Sequence, residues 1–371
     1  MIAHVAWKNL SRERTRLAIS VGGVAFAVLL ILLVRGLYNG FSAQTTQWIR
    51  SVGGDVWVAQ SGSPGDFFHS VSLLPVATEQ RLRAVEGVAD VVPLVMRSVV
   101  FDLRGTSRDF RLVGVDPRRP ITKPPGMERG DAVPGPGEIV VDRVFARNAD
   151  VALGDRLTIG GSDFRVVGIA RGGNTIIAQY AWASLPDVKR VLGMEDVVNY
   201  VVVRGGPGVD ASALAARIRD EVPGTKPMVE ADFIERNLAD IEEGFLPIVL
   251  VLVVVAFVIG TAVIGLTIYA ATLEKRREYG VLKAVGFSNR RLFGIVYLQA
   301  LAAAAFGLVV GIGLTYAVSA VVTELVPAFV TTFEAGDFAL VVLGTLGMSV
   351  VSSFIPMRPV ARLDPAEVFR V

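Results

Sequence analysis

The sequence predicts a membrane protein with four transmembrane α-helices and a large extracytoplasmic α/β domain between spans 1 and 2. Within that domain a split strand–helix–strand subdomain carries an inserted, mostly β subdomain. Three observations predict this. The chain is 52% hydrophobic and only 19% charged, whereas ordinary soluble domains carry about 25% charged residues. The apolar excess is gathered in four uncharged blocks. Residues 39–243, between the first and second blocks, change character and become rich in Gly and Pro with short β-type runs.

The blocks run from Leu17 to Val34, continuing past Arg35 to Tyr38, then Gly244 to Leu273, Leu292 to Thr323, and Phe338 to Met357. A helix needs roughly 20 apolar residues to cross a hydrocarbon core. The second and third blocks exceed this, which predicts tilt or helical extension beyond the lipid. The first has an uncharged core longer than the roughly 7–15 residues of a signal peptide and no A-x-A site after it, so it reads as an uncleaved anchor.

Lys and Arg near span ends set orientation. They crowd residues 1–16 (Lys8, Arg12, Arg14, Arg16), the stretch 274–291, and the tail 358–371 (Arg358, Arg362, Arg370). The link 324–337 has no Lys or Arg and carries Glu324, Glu334 and Asp337. Both termini and the 274–291 stretch are therefore expected in the cytoplasm, with the 324–337 loop and residues 39–243 outside a bacterial cell membrane.

Inside 39–243, "GGDVWVAQ" (53–60) and "ADVVPLVMRSVVFDLRG" (89–105) read as strands, with "ATEQRLRAVEG" (77–87) a helix between them. "VVNYVVVRGG" (197–206), "DASALAARIRDEV" (210–222) and "TKPMVEA" form a second strand–helix–strand unit. An α/β subdomain is thus expected over about 50–112 and 196–232. "GEIVVDRVFARNADVALGDRLTIGGSDFRVVGIA" (137–170) alternates β runs with Gly and Asp turns. "GFSAQTTQWIRSVGG" (40–54) and "DFIERNLADIEEGF" (232–245) read as helical stalks joined to the first and second spans.

Several chemistries are excluded. There is no cysteine, and the only histidines, His4 and His69, lie far apart, so thiolate chemistry and a His-rich metal site are out. The net charge of +2 gives no footprint for nucleic acid. No lysine follows a glycine, so a standard phosphate-binding loop is absent. No catalytic constellation is visible; "GG" (160–161) and "GGN" (172–174) read as turns, and Asp155 as a turn residue. Any energy for movement must come from another subunit.

One stretch stands apart. "EKRREYGVLKAVGFSNRR" (274–291) carries eight charges in eighteen residues between two long uncharged walls. As a helix it places Tyr279, Leu282 and Val285 on one apolar stripe and Arg276, Lys283 and Arg290 on a basic one, with Gly286 placed to end or kink it. Such a helix suits lipid headgroups, a partner groove, or simple charge flanking of the spans.

This stretch closely resembles the signature loop of FtsX-like permeases, the membrane subunits of MacB-type ABC systems. The pattern falls on Glu274, Arg277, Glu278, Tyr279, Gly280, Ala284 and Gly286. "PVARLDPAEVFR" (359–370) is similar to the family's C-terminal ending, and "AWKNLSRERTRLAIS" (6–20) to its lead-in. The resemblance is closest to the DevC-like branch, associated with glycolipid export. It implies that Glu274, Arg276, Arg277, Glu278, Tyr279, Gly280, Lys283 and Gly286 form a coupling helix docking into a separate ATPase, which binds ATP and Mg; this chain holds no cofactor. It further implies mechanotransmission, in which two ATPase copies swing the helices of a permease dimer and move the extracytoplasmic domains, with export of a lipid-like substrate such as glycolipid. Alternatives are haem or drug efflux, and signalling to an extracytoplasmic partner such as a cell-wall hydrolase. An extracytoplasmic adaptor is a further implied partner.

Two features remain. Ala303, Gly307 and Gly311 form a small-residue row with GxxxG spacing, suited to close helix approach within the chain or across a dimer. Arg35 near the outer end of the first span is placed to snorkel, or to contact an anionic headgroup or substrate.

Overall fold

The computed structural model describes residues 14–67, 72–172, 179–326 and 329–361. Two compact units form the chain. One is made of residues up to Gly40 together with those from Phe245 onward, the other of Phe41–Gly244. His4 and His69, most of the 359–370 ending, the start of the 6–20 lead-in and the last two residues of "GGN" lie outside the described residues.

Helix α1 (Arg14–Val52) runs through the first apolar block and on through the expected stalk, with no proline to interrupt its hydrogen bonds. It ends where Gly53 takes φ +65°, a left-handed turn that glycine adopts without a Cβ penalty.

The Phe41–Gly244 unit then opens with β1 (Val56–Gln60), β2 (Leu74–Pro75), α2 (Ala77–Arg83) and β3 (Val88–Leu94). Next come β4 (Met96–Leu103), β5 (Thr106–Val115), β6 (Gly126–Gly130), β7 (Glu138–Asp142), α3 (Arg143–Asn148), β8 (Arg156–Ile159), β9 (Ser162–Arg171) and β10 (Tyr180–Ser184). The unit closes with α4 (Leu185–Leu192), β11 (Val197–Val198), β12 (Tyr200–Gly205), α5 (Ala211–Glu221) and β13 (Thr225–Val229).

Strands β13, β1, β12 and β3 form an antiparallel sheet in that order. Each strand–helix–strand unit is split: β1–α2–β3 straddles β12, and β12–α5–β13 straddles β1. Strand alternation sends Val56 and Val58 to one face, where they join Leu82, Leu214 and Ile218. Trp57 and Ala59 face the other way and join Trp48, Ile49 and Phe233. Trp57 stacks on Phe233 with ring centroids 4.5 Å apart. The buried Asn237 accepts a hydrogen bond from Phe67 N at 2.9 Å. The second sheet runs β4–β5–β10–β7–β9–β6, with β8 pairing on β9 through a two-residue turn at Gly160 and Gly161. Both glycines have positive φ (56° and 78°), as a tight hairpin of this hand requires.

Two expectations need correction. The 89–105 run is not one strand. It breaks at Val95, so that β3 belongs to the first sheet and β4 to the second. There the Val95 carbonyl accepts from Gly114 N at 2.8 Å and the Asn199 side chain accepts from Met96 N at 2.8 Å, holding the crossing. The subdomain boundary therefore lies near residue 95, and β5 belongs to the inserted sheet. The 137–170 run likewise contains a helix, α3, which Asp142 caps through a 2.7 Å bond from Val144 N.

The other unit is a helical bundle. Its members are α1, α6 (Glu230–Glu274), the short α7 (Arg276–Ala284), α8 (Asn289–Leu325) and α9 (Ala335–Ala361). Four helices are long and apolar enough to cross a membrane: Arg14–Val52, Glu242–Glu274, Asn289–Leu325 and Ala335–Met357. Both α1 and α6 are single elements whose sequences cross from one compact unit to the other. The bundle core is built on Val24, Val28, Leu32, Ile264, Ala300, Ala304 and Met348. Wide apolar surface stays exposed, including Leu250, Val309, Leu343 and Phe354, as lipid-facing helices require.

Candidate functional site

The helix α6 ends at Glu274, and Lys275 turns the chain (φ −93°, ψ 14°) into α7. One face of α7 is held down. Tyr279 is 3% exposed and clusters with Leu292 and Ile295 at the start of α8, with Leu282 and Phe287 packed beside them. Arg276, Arg277 and Glu278 on the other side are exposed, and Gly280 is buried.

The loop's end is a defined cap. Gly286 takes φ +95°. Its N–H donates to Lys283 O at 3.0 Å, and Phe287 N donates to Leu282 O at 3.0 Å. This reverse-turn pairing, with Phe287 packed against the same small core as Leu282, closes the helix and satisfies its last carbonyls. Two expected stripes are thereby corrected. Val285 leaves the Tyr279 and Leu282 face and is 76% exposed, because Phe287, returned by the glycine turn, takes its place. With Val281, 44% exposed, it adds apolar surface to the charged outward side. Arg290 is not in register with Arg276 and Lys283, since it lies on α8 beyond the turn.

Glu274 is engaged inside the chain, where the Arg16 guanidinium donates to it. Its side chain is 65% exposed, so this pair adds little stability in itself. It does tie the start of α1 to the root of α7.

Further along the bundle, a Cβ on Gly307 would collide with Val24, and one on Gly311 would stand 2.7 Å from Val28 Cβ. Ala303 is 2% exposed. The small-residue row of α8 therefore faces α1 of the same chain, where backbone approach leaves no room for side chains. At the other end, Arg35 does not snorkel alone. Its Nε donates to Asp337 Oδ1 at 2.9 Å, Asn39 Nδ2 donates to Asp337 Oδ2 at 2.6 Å, and Glu334 N donates to the same oxygen at 3.0 Å. Asp337 has no exposed side-chain surface. A buried carboxylate held by three donors is one whose burial is compensated.

In the α/β unit the acidic groups mostly serve as caps and turns, among them Asp155, which accepts from Ala152 N at 2.9 Å. Asp142 is the outlier. Burial pushes its carboxyl up to about 6, against the opposing pull of the Val144 N–H, and its Oδ2 has no hydrogen-bond partner. Asp187 goes the other way. Burial pushes its carboxyl up, but hydrogen bonds from Ser184 and Gly137 N together with the Arg190 charge hold it below the usual range. Among the described residues no group of three or more His, Asp or Glu side chains is arranged to hold a metal ion.

Four helices long and apolar enough to cross a membrane, a large α/β unit between the first two and a short charged helix between the middle two mark a membrane protein. Residues 17–221 match the MacB-like periplasmic core domain, and residues 250–365 match the FtsX-like permease C-terminal domain. The chain belongs to the MacB-like, FtsX-like family of ABC transporter permeases. An uncharacterized ABC transporter permease of Mycobacterium bovis is 26% identical over 98% of this chain and 97% of its own length. A probable export ATP-binding/permease protein MacB of Pseudomonas entomophila is 24% identical over 98% of this chain, which spans only 58% of that protein. Among solved structures, the periplasmic region of MacB from Actinobacillus actinomycetemcomitans aligns with 50% of this chain at 12% identity, with a TM-score of 0.40.

Proposed function

We propose that this chain is the permease of an ABC exporter that works by mechanotransmission, receiving its energy from a separate ATPase through α7. The observation that carries this reading is the two-sidedness of α7. Tyr279 and Leu282 root it in the bundle, while Arg276, Arg277, Glu278, Val281 and Val285 stand outward. A mixed charged and apolar outward face on a firmly seated helix suits docking into a protein cleft. Lys283, partly buried on the same helix, adds to its cationic character.

In this reading α7 and both termini lie in the cytoplasm and the α/β unit lies outside. The continuity of α1 and α6 into that unit supplies a route by which displacement at α7 reaches the outside. Two permease copies, each with one α7, would engage two ATPase copies in a two-fold assembly. A lipid-like substrate, such as a glycolipid, taken from the outer leaflet fits a machine that moves an external domain. Haem, drug or adaptor-assisted export would use the same mechanics.

The test is binding of the cognate ATPase to Arg277→Glu and Glu278→Lys variants. Charge reversal on a docking face is expected to weaken capture by about tenfold or more. Undiminished capture by both variants would sink the docking role. Because the chain has no cysteine, a single Glu278→Cys variant also reports sidedness. Labelling from the cytoplasmic side alone is expected.

A further inference from the structure

The spans of the bundle are not joined alike. At the end opposite α7, the segment that links α8 to α9 is locked onto α1. Asp337, at the start of α9, is fully buried and accepts from the Arg35 and Asn39 side chains of α1, while Thr332 N donates to Gly36 O at 2.9 Å. Gly36 and Gly40 leave no room beside them. A Cβ on Gly36 would stand 2.5 Å from the Phe333 ring, and one on Gly40 would collide with the Val330 carbonyl. The end of α8 is fastened to the same segment: the Ser319 and Thr331 hydroxyls meet, and Thr323 Oγ1 donates to Phe329 O at 3.2 Å. Behind this clasp α8 and α9 keep their backbones close over a long stretch, and the Gly307 and Gly311 seam presses α8 onto α1.

Helix α6 is held differently. Its last residue, Glu274, takes the Arg16 guanidinium at the root of α7, an exposed pair of a kind that yields readily. Among the described residues no side chain between Leu246 and Leu273 hydrogen-bonds another helix. Thr267 and Thr272 donate to carbonyls of α6 itself, and the buried Thr261 hydroxyl has no partner. What holds α6 along the bundle is apolar packing, with Gly260 set against Ala27 of α1 and Phe257 against Gly347 of α9. Pro247 lacks an N–H, so the helix also loses one of its own bonds there.

We propose that α1, α8 and α9 form one rigid body, kept closed by the Asp337 clasp throughout the working cycle, and that α6 is the span that moves against it. The proposal rests on the mechanotransmission reading and assigns its moving part. Apolar helix faces shift past one another by small sliding steps. Opening the clasp would instead strand a buried carboxylate without its donors, a large penalty at every turnover. Helix α6 also runs directly into α7 through Lys275, so displacement of α7 reaches α6 first.

The chain has no cysteine, so cross-links can be placed singly. The experiment measures ATP turnover by the cognate ATPase bound to the full chain in lipid nanodiscs. Turnover is read before a short methanethiosulfonate cross-linker, after it, and again after dithiothreitol, with the link verified by intact mass. Gly36→Cys/Phe333→Cys bridges the clasp, one thiol taking the space of the lost ring, and turnover is expected to stay unchanged. Ala27→Cys/Gly260→Cys joins α1 to α6, where a Cβ on Gly260 stands 3.2 Å from the Ala27 Cβ. Here turnover is expected to fall about tenfold or more, because a blocked conformational step limits the cycle, and to return with dithiothreitol.

Two further pairs repeat these arms should a first variant fail to fold. Val28→Cys/Gly311→Cys lies within the rigid body and should be harmless; Phe257→Cys/Gly347→Cys joins α6 to α9 and should inhibit. Lost turnover on linking the clasp or α1 to α8, or unchanged turnover on linking α6 to α1 or α9, would overturn the proposal and leave the exporter reading standing. An ATPase that the untreated wild-type chain neither captures nor stimulates would overturn both.

Discussion

Arg35 and Asp337 stand 302 positions apart in sequence, yet the Arg35 Nε donates to Asp337 Oδ1 at 2.9 Å. The pair fastens α1 to the start of α9, and Asn39 and the Glu334 N–H complete the shell around the carboxylate. Nearby, Thr332 N donates to Gly36 O at 2.9 Å. The polypeptide after α8 is thus laid directly against α1.

Asp337→Ala removes the buried acceptor and leaves Arg35 with no counter-charge. Losing one member of a buried pair costs about 3 kcal/mol or more, whereas replacing both with apolar residues is far milder. Thermal unfolding in detergent is expected to show a large drop for Asp337→Ala and a much smaller one for Arg35→Met/Asp337→Leu. Equal losses in the two variants would contradict the pairing.

Gly311→Val places two methyl groups where Val28 already stands. Overpacking of this kind costs about 1–3 kcal/mol, and the helix pair must separate to admit it. Gly313, where an added methyl would meet nothing within 4 Å, is the control. Gly313→Ala should not lower the midpoint of unfolding in denaturant, since Ala favours helix over Gly where its methyl has room, while Gly311→Val lowers it.

Asp142 titrates near 6 in the folded chain against an ordinary value of 3.8. A carboxyl raised by folding favours the protonated state, so its contribution is harmless below pH 4. It turns unfavourable as pH rises toward 6 and stays so above. The difference amounts to about 3 kcal/mol at most, at 1.36 kcal/mol per unit. Asp142→Asn keeps a capping oxygen without the charge. Stability measured against pH should show the variant gaining on wild type between pH 4 and 6, with a constant advantage beyond. Parallel curves across that window would refute the assignment.

The spans were legible because their signal is local. A run such as Gly244–Leu273 without one charge can only be accommodated in lipid or a large core, and length selects lipid. The split strand–helix–strand units were legible for the same reason, since alternation and capping act within a few residues. The run 89–105 misled because its one local breaker, Pro93, lies within β3 and not at the break; what divides β3 from β4 at Val95 is hydrogen bonding to Gly114 and Asn199, far along the chain. Val285 misled because helical spacing was carried onto the residue that caps the helix, where the left-handed turn at Gly286 brings Phe287 inward instead; Arg290 misled because the spacing was continued past that glycine.

The sequence by itself determined the number of membrane crossings, the α/β insertion and the charged helix between the middle spans, because hydrophobic periodicity and charge spacing need no distant partner to be read. Only the tertiary structure decided what Arg35, Glu274 and Gly311 touch. Those outcomes depend on which helices come together, and that is set by the summed packing of the bundle, not by any short stretch of chain.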